Sequence, residues 1–261
     1  MTARNFAFLT RLADAAGTVI LPHFRSALAA DNKAGHGAYD PVTVADRGAE
    51  QTIRAMIAAA FPEDGIYGEE FGIERADADH VWIIDPIDGT RAFLAGLPLW
   101  GVLVGLVSHG KPTLGMMAQP YTGELFVGDG GSAHFHKDGS THTLHSRKGR
   151  PLSEALMMST SPRLFKASTG DLEAFERVAG AARDVRFGGD CYAYAMVAAG
   201  NVDIVVEAGL QPYDIAGLVP IIEGAGGVVT TWDGGPAHNG GRIVAAGSPE
   251  LHAEALKLLV A

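Results

Sequence analysis

The chain has 261 residues, of which 47% are hydrophobic and 19% are charged, a composition typical of a folded globular protein rather than a disordered one. Its net charge is −10 and its basic residues form no run longer than two, so the basic face of a nucleic-acid-binding protein is not expected. The single cysteine, Cys191, excludes an intrachain disulfide and fits a reducing cytoplasm. The longest apolar stretch, residues 97–107, is much shorter than the roughly 20 residues of a membrane-spanning helix, so no membrane segment is expected.

Hydrophobic periodicity predicts two helices near the N-terminus. Apolar residues recur at three- and four-residue spacing over Phe6–Ile20, as on one face of an amphipathic helix. A glycine-rich loop is predicted over Ala34–Asp40. Thr43 and Asp46 are placed to cap a second helix, which Phe61-Pro62 would end.

The next segment predicts antiparallel strands. The apolar run Val81–Ile84 is a predicted strand that leads into Asp85, and a turn or short helix is predicted over Gly89–Leu94. Three further strands with plausible hairpin turns between them are predicted at Val102–Ser108, Pro112–Gln119 and Gly123–Val127. We therefore expect an antiparallel sheet in the first half, approximately residues 1–150.

From about Pro151 onward, predicted strands alternate with predicted helices. The strands are expected at residues 156–158, 202–206 and 228–230, and the helices at residues 172–179, 191–199, 215–223 and 250–259. No long linker separates the halves, so the prediction is one unit over residues 1–261 with an α/β half at 151–261. The expected fold class is α+β or α/β, with two sheet-containing halves packed across a cleft.

A pair of aspartates follows the strand predicted at Val81–Ile84. In Asp85-Pro86-Ile87-Asp88-Gly89-Thr90 two carboxylates lie three residues apart, and Pro86 is expected to end ladder hydrogen bonding. Gly89 and Thr90 would open a short helix whose N–H groups can hold a phosphate. Carboxylate oxygens are hard ligands suited to Mg²⁺. A surface turn is the alternative, but the apolar strand favours acids at the rim of a core.

Two other acidic segments extend this set. Glu69 lies in Gly68-Glu69-Glu70, upstream of the aspartate pair, and Asp214 follows Pro212-Tyr213 at the start of a predicted apolar helix. An acid at a helix start is also an ordinary N-cap, and Asp214 can serve both purposes.

Three segments together resemble the signatures of the inositol monophosphatase family: Gly68-Glu69-Glu70, Asp85–Thr90 and Pro212–Gly217. Their order and spacing also match, and the resemblance covers nearly the whole chain. It implies a layered α-β-α-β-α sandwich, usually a homodimer, and a magnesium-dependent phosphatase acting on a small phosphate monoester.

The resemblance also implies a set of metal ligands. Glu69, Asp85 and the backbone carbonyl of Ile87 would bind a first Mg²⁺, and Asp85, Asp88 and Asp214 a second. A third, looser ion would lie near Glu69, giving two or three ions for each site. Metal ions a few Å apart can stabilise both the attacking and the leaving oxygen in phosphoryl transfer.

The catalytic residues implied by the resemblance are Thr90 and Asp46, which would orient the attacking water, together with Glu69. Gly89 and Thr90 would hold the phosphate. This division fits the physical needs of the reaction, which are charge neutralisation and in-line placement more than covalent catalysis.

The substrate is indicated by residues outside the metal ligands. Gly188–Tyr194 and Val206–Asp214 resemble the histidinol-phosphatase branch of the family more than the inositol branch. By alignment of these motifs, Asp190 and Glu207 would contact the non-phosphate part of the substrate. Two acids suit a cation, and histidinol phosphate, an intermediate of histidine biosynthesis, carries an amine and an imidazole. The alternative for Asp190 is that it caps the helix from Cys191, and both roles can hold together.

Several other features are interpreted as structural. The histidines of His134–His145 could suggest a transition-metal site, but alternation around Phe135 favours a hairpin whose histidines face water. Cys191 is expected to be a small buried residue. Trp100 and Phe93 are assigned to the site or to a dimer interface, and the sequence leaves both open.

Other functions remain open within and outside this class. Inositol monophosphatase, sugar bisphosphatase and nucleotide 3′-phosphatase are alternatives of the same reaction type. A catalytically silent scaffold that binds a metal or a partner is the alternative of another class. A scaffold could lose the acidic set without penalty, yet this chain keeps all of its members: Glu69, Asp85, Asp88, Thr90 and Asp214.

Overall fold

The computed structural model describes residues 3–26, 31–32 and 41–260. The glycine-rich loop predicted at residues 34–40 lies outside these ranges. The helices described are α1 (Phe6–Ile20), α2 (Val44–Ala60), α3 (Thr90–Leu94), α4 (Asp171–Ala181), α5 (Asp190–Ala198), α6 (Pro212–Ile215), α7 (Val219–Gly224) and α8 (Pro249–Leu259). Within the described ranges, no helix has the length and apolar character that crossing a membrane would require.

Both helices predicted near the N-terminus are confirmed, and side chains explain where they start. The side chain of Asn5 accepts a hydrogen bond from the N–H of Phe8 at 3.1 Å at the start of α1. At the start of α2, Thr43 Oγ1 accepts from the N–H of Ala45, and Asp46 accepts from the N–H of Thr43 at 2.8 Å. These two bonds make a capping box, which satisfies N–H groups that have no partner within the helix.

The first half contains a large sheet and a two-stranded pair. The pair consists of β1 (Asp31–Asn32) and β2 (Pro41–Val42). The strands of the large sheet are β3 (Gly65–Gly68), β4 (Gly72–Glu74), β5 (His80–Asp88), β6 (Gly101–Ser108), β7 (Lys111–Gln119), β8 (Glu124–Gly128), β9 (Ala133–Lys137) and β10 (Ser140–Thr143). Their order is β10-β9-β8-β7-β6-β5-β3-β4, and every pairing is antiparallel except that of β3 with β5. The predicted antiparallel sheet is therefore confirmed, with one parallel pairing beside the aspartates.

The second half contains a small mixed sheet in the order β12-β11-β13-β15-β14. Its strands are β11 (Leu156–Ser159), β12 (Asp184–Phe187), β13 (Ile204–Leu210), β14 (Val228–Thr231) and β15 (Gly241–Ala246). The sequence prediction missed β12, which is a largely exposed edge strand that contains two charged residues. It also missed β15, which begins with Gly-Arg and so shows only a short apolar run.

The helices separate into three layers around the two sheets. Helices α1 and α2 pack on each other and on the outer face of the large sheet. Helices α5 and α7 lie between the two sheets, and α4 and α8 cover the outer face of the small sheet. The predicted α-β-α-β-α sandwich is confirmed.

The helix predicted at residues 215–223 is wrong, because the structure breaks it into α6 and α7. The break at residues 216–218 lies directly against the large sheet. A Cβ atom added to Gly115 of β7 would lie 1.9 Å from the carbonyl oxygen of Gly217, so the two backbones touch. This contact forms only in the folded chain, whereas the local sequence shows a continuous apolar helix pattern.

Strand β5 continues past Asp85, so the prediction that Pro86 ends the ladder is wrong. Asp85 pairs with Leu103 and Asp88 pairs with Gly101, which leaves one extra residue on β5 and produces a bulge. In a regular strand, residues three apart point to opposite faces. The bulge therefore allows both aspartates to face the same side.

Two aromatic residues left open by the sequence belong to the core. Phe93 and Trp100 are both buried, with ring centroids 5.1 Å apart, and Phe24 packs on both at 5.3 Å. Both rings pack on the core side of the segment that contains α3 and do not line the cavity described below.

The predicted hairpin of β9 and β10 is confirmed, but the orientation of its histidines is partly wrong. His134 and His136 are half-buried, and the His134 ring lies edge-on to Phe6 with centroids 5.7 Å apart. His142 and His145 are exposed, as predicted. Helix α1 therefore covers part of β9, whose histidines the sequence pattern predicted to face water.

Candidate functional site

Three aspartates from two elements form the centre of the candidate site. Carboxylate oxygens of Asp85, Asp88 and Asp214 all lie within 4.8 Å of one another. Asp85 and Asp88 come from the bulged end of β5, and Asp85 is only 2% exposed. Asp214 lies in α6, where its carboxylate accepts from the N–H of Gln211 at 2.6 Å. Asp214 is thus the N3 residue of α6, which forms a capping box with Gln211, and not the N-cap residue that the sequence suggested.

The electrostatics of this cluster favour a bound cation. Burial, followed by the charges of Glu69, Asp88 and Asp214, raises the pKa of Asp85 well above its usual range. Burial, followed by the charges of Asp190 and Asp214, raises the pKa of Asp88 in the same way. A set of crowded carboxylate oxygens with no nitrogen or sulfur ligand fits a hard divalent cation such as Mg²⁺. The donor set therefore suits a metal ion, and Mg²⁺ as its identity stays a prediction.

Glu69 joins the cluster through the parallel pairing of β3 and β5. Gly68 lies opposite Ile84, and the N–H of Glu69 donates to the Ile84 carbonyl at 3.1 Å. This register places Glu69 beside Asp85, where the Glu69 carboxyl group helps to raise the pKa of Asp85. The backbone of Ile87 folds back on the same group, because its N–H donates to Asp85 Oδ1 at 3.0 Å.

The short helix α3 starts at the site, as predicted. Gly89 has a φ of +83°, and a Cβ at this position would lie 3.0 Å from the carbonyl oxygen of Leu99, so glycine is needed for both reasons. Thr90 lines the cavity, and its hydroxyl donates to the carbonyl oxygen of Ile87 at 3.0 Å.

Asp46 is fully buried at the start of α2. Besides the N–H of Thr43, its carboxylate accepts a 2.5 Å hydrogen bond from the Thr43 hydroxyl. These contacts give Asp46 a part in capping α2. Its predicted part in orienting water stays a prediction.

A cavity of about 220 Å³ adjoins the aspartate cluster. It lies between β5 and α3 on one side and the small sheet with α5 on the other. Its polar lining consists of Asp88, Thr90, Arg91, Thr160, Asp190, Tyr194, Glu207 and Asp214. Both residues predicted to contact the substrate, Asp190 and Glu207, are therefore in the same cavity as the aspartate cluster.

Glu207 is a buried acid in the cavity wall. It is 1% exposed, and its Oε1 atom accepts from both the N–H and the hydroxyl of Thr160, each at 2.7 Å. Burial raises the pKa of Glu207 to about 7, while the hydrogen bonds from Thr160 oppose the shift.

Asp190 does not cap α5, so the capping interpretation is wrong. The N-cap residue is Gly189, and the N–H of Cys191 donates at 2.6 Å to Asp88, which thereby holds the start of α5 against β5. Asp190 itself has a φ of +43°, a strained conformation for a residue with a side chain. Burial raises its pKa to about 6, and the charge of Arg91 acts in the opposite direction.

Four residues around the site were missed by the sequence reasoning. Tyr194 ends the segment Gly188–Tyr194 and Arg91 directly follows Thr90, yet no local signal marks either as a cavity residue. Thr160 follows β11, and the rule that sites form at the carboxyl ends of parallel strands could have found it. Glu50 lies on the buried face of α2 and contacts the turn that carries Glu69.

The fold and the carboxylate cluster define a class: an α/β sandwich protein with an acidic cluster that could hold a metal ion in a cleft between its two sheets. A sequence profile of the inositol monophosphatase family matches residues 3–261. The chain therefore belongs to the inositol monophosphatase family, a family of metal-dependent phosphatases that act on small phosphate monoesters.

The relatives carry different substrate names. A bifunctional phosphatase IMPL2 of Arabidopsis thaliana is 39% identical over 95% of this chain and 72% of its own length. A histidinol-phosphatase of Chlorobaculum parvum is 38% identical, covering 83% of this chain and 81% of its own. A solved structure of an inositol monophosphatase from Zymomonas mobilis is 43% identical with a TM-score of 0.86, covering 98% of this chain and 97% of that one. The comparisons thus define the family and leave the particular substrate open.

Proposed function

We propose that this protein is a magnesium-dependent phosphomonoesterase whose physiological substrate is histidinol phosphate, in histidine biosynthesis. The observation that carries the proposal is the position of Asp190 and Glu207, which line the same cavity as the aspartate cluster. A phosphate held at the cluster would leave the rest of the substrate facing these two acids.

The proposed ligands divide between ions as follows. Glu69, Asp85 and the Ile87 carbonyl would hold one Mg²⁺, and Asp85, Asp88 and Asp214 would hold a second, with room for a looser third ion near Glu69. Bound divalent cations would neutralise the phosphate charge and lower the pKa of a coordinated water. The oxygen-only donor set and the raised pKa of Asp85 and Asp88 support this assignment.

The chain's own groups would position the phosphate and the attacking water. The backbone N–H groups from Gly89 into α3, at the free start of this helix, would donate to phosphate oxygens. Because the Thr90 hydroxyl proton is directed to the Ile87 carbonyl, the lone pairs of the oxygen are available to accept from a water. Asp46 would assist Thr90 in orienting this water.

A cationic leaving group suits the acids in the cavity. A charge-assisted hydrogen bond contributes about 1.5–3 kcal/mol, against about 1 kcal/mol for a neutral one. An ammonium or imidazolium group beside Asp190 and Glu207 would favour their ionised forms and offset the effect of burial on their pKa. Arg91 supplies one positive charge near Asp190, whereas the charges that act on the pKa of Glu207 are those of the acids Asp190 and Asp214.

Relatives named histidinol-phosphatase support this substrate. The alternative is inositol 1-phosphate, which the name of the Zymomonas mobilis structure favours. A catalytically silent scaffold is the alternative from another class, and any metal-dependent release of phosphate would exclude it.

The substrate proposal is tested by comparing Asp190→Asn on two substrates. We expect kcat/KM for L-histidinol phosphate to fall about tenfold or more, because about 1.4 kcal/mol of interaction corresponds to a factor of ten. The value for inositol 1-phosphate should change much less, since a polyol has no positive charge to lose. Asp184→Asn on the exposed strand β12 is the matched control and should leave both values unchanged.

Two outcomes would contradict the substrate proposal. An equal loss on both substrates would assign Asp190 a structural role. Wild-type protein that hydrolyses inositol 1-phosphate as well as histidinol phosphate would refute the proposed specificity, although the phosphatase assignment would stand.

We infer further that the chain works as a single phosphatase unit and assembles as a cytoplasmic homodimer. The resemblance to the family supports the dimer, and the single buried cysteine supports a reducing compartment. Light scattering on the purified protein tests the proposed homodimer, and a monomeric mass at micromolar concentration would contradict it.

A further inference from the structure

Helix α2 contains a buried ion pair that faces the turn carrying Glu69. Glu50 is fully buried and Arg54 nearly so, with Arg54 Nε donating to Glu50 Oε1 at 2.7 Å. Burying a charged pair usually stabilises a fold no more than apolar residues of the same size would. The contacts of this pair therefore indicate a role other than stability.

Both members of the pair bind the turn between β3 and β4. Glu50 Oε2 accepts from the N–H of Glu70 at 2.7 Å, and Oε1 accepts from the N–H of Phe71 at 3.2 Å. Arg54 donates to the carbonyl oxygen of Gly72 and forms a 2.9 Å ion pair with Glu74. The turn is thus held at two consecutive N–H groups by one carboxylate and at its far end by the guanidinium.

The carboxylate of Glu50 also packs directly on the residue before Glu69. A Cβ atom at Gly68 would lie 1.8 Å from Glu50 Oε1. This close approach is a reason for glycine at the first position of the Gly68-Glu69-Glu70 motif, independent of any backbone conformation.

The opposite side of the turn is fixed to β5. The N–H of Glu69 donates to the Ile84 carbonyl, so three consecutive N–H groups, those of residues 69–71, are all engaged. The backbone at Glu69 is therefore held from both sides, next to Asp85. Placing Glu69 beside other carboxylates is electrostatically unfavourable without a cation, because like charges repel at close range.

We propose that Glu50 is a positioning residue that holds the Glu69 turn in its cation-binding position before any cation arrives. This inference rests on the proposed function, because it takes Glu69 as a ligand of Mg²⁺. Glu50 contributes no ligand itself, and its effect is to keep Glu69 from moving away from like charges.

The test is Glu50→Gln, which keeps the shape of the side chain and replaces one acceptor oxygen with an amide that cannot accept. Binding of Mg²⁺ alone is measured by calorimetry, and exchange of the Glu70 and Phe71 amide protons is measured in the metal-free protein. We expect about tenfold weaker Mg²⁺ binding and about tenfold faster exchange at these two amides. The matched control is Glu74→Gln, which removes the negative charge of the exposed residue that pairs with Arg54. This variant should bind Mg²⁺ like the wild type.

A purely structural role would lower the melting temperature but leave the Mg²⁺ affinity of the folded protein unchanged, and that result would overturn the inference. If Glu50→Gln does not fold, Gly68→Ala displaces the Glu50 carboxylate while keeping its charge, and it should weaken Mg²⁺ binding to a similar extent. Unchanged affinity in Gly68→Ala would then refute the positioning role. A wild-type protein that binds no Mg²⁺ would overturn the proposed function as well, so the two failures are distinguishable.

Discussion

Replacing Glu207 by glutamine should change how the stability of the metal-free protein depends on pH. The folded-state pKa of Glu207 is about 7, raised by burial from an ordinary value of 4.5. Below pH 4.5 the acid is protonated in both the folded and the unfolded chain. As the pH rises toward 7, the unfolded chain ionises first, so the stability that protonated Glu207 supports is progressively lost.

The size of the effect follows from the two pKa values. A tenfold change in proton affinity corresponds to roughly 1.4 kcal/mol, so a pKa raised from 4.5 to about 7 corresponds to about 3 kcal/mol in the free energy of unfolding. Glutamine has a similar shape and keeps an acceptor for the Thr160 N–H and hydroxyl, but it cannot ionise. Between acid pH and pH 8, the free energy of unfolding of the variant should therefore rise by about 3 kcal/mol relative to that of the wild type.

The assay is urea unfolding in the presence of a chelator, at several pH values from 5 to 8. Glu173→Gln on the exposed face of α4 is the matched control, and its profile should run parallel to that of the wild type. A Glu207→Gln profile that is also parallel to the wild type would show that Glu207 ionises freely in the folded protein. Glu207 would then not lie in a buried wall of the cavity.

Three other variants test the site. Asp85→Asn should abolish phosphate release and Mg²⁺ binding, yet raise the melting temperature of the metal-free protein, because a buried acid beside like charges is removed; appreciable activity would contradict the ligand role. Thr90→Ala should lower kcat far more than it raises KM, and an unchanged kcat would remove Thr90 from the mechanism. Tyr194→Phe should stabilise the metal-free protein by about 1 kcal/mol, because the Tyr194 hydroxyl is buried and has no partner among the described residues; a lower melting temperature would reveal a partner.

The helices and the acidic set could be predicted from the sequence because their signals are local. Helix α1 follows from apolar spacing and α2 from its capping residues. The carboxylates of Glu69, Asp85 and Asp214 follow from three motifs, and the layered fold follows from the family that these motifs resemble.

What the sequence did not predict depends on contacts between distant segments. The break between α6 and α7 arises from the contact of Gly217 with Gly115. The pairing of Glu50 with the Glu69 turn joins residues 20 positions apart. Asp190 illustrates the same limit, because its position before an apolar helix pattern suggested a cap, whereas the N–H of Cys191 at the start of α5 donates to Asp88 of the distant strand β5.

Phosphate release by the purified wild-type protein is the measurement that decides most directly whether this site is a magnesium-dependent phosphomonoesterase. The protein is stripped with a chelator and assayed on L-histidinol phosphate, inositol 1-phosphate, a sugar bisphosphate and a nucleotide 3′-phosphate, before and after Mg²⁺ is restored. We expect release only after Mg²⁺ is restored, with histidinol phosphate preferred. Release that persists in excess chelator, or no release from any of the four esters with Mg²⁺ present, would contradict the proposed chemistry of the aspartate cluster.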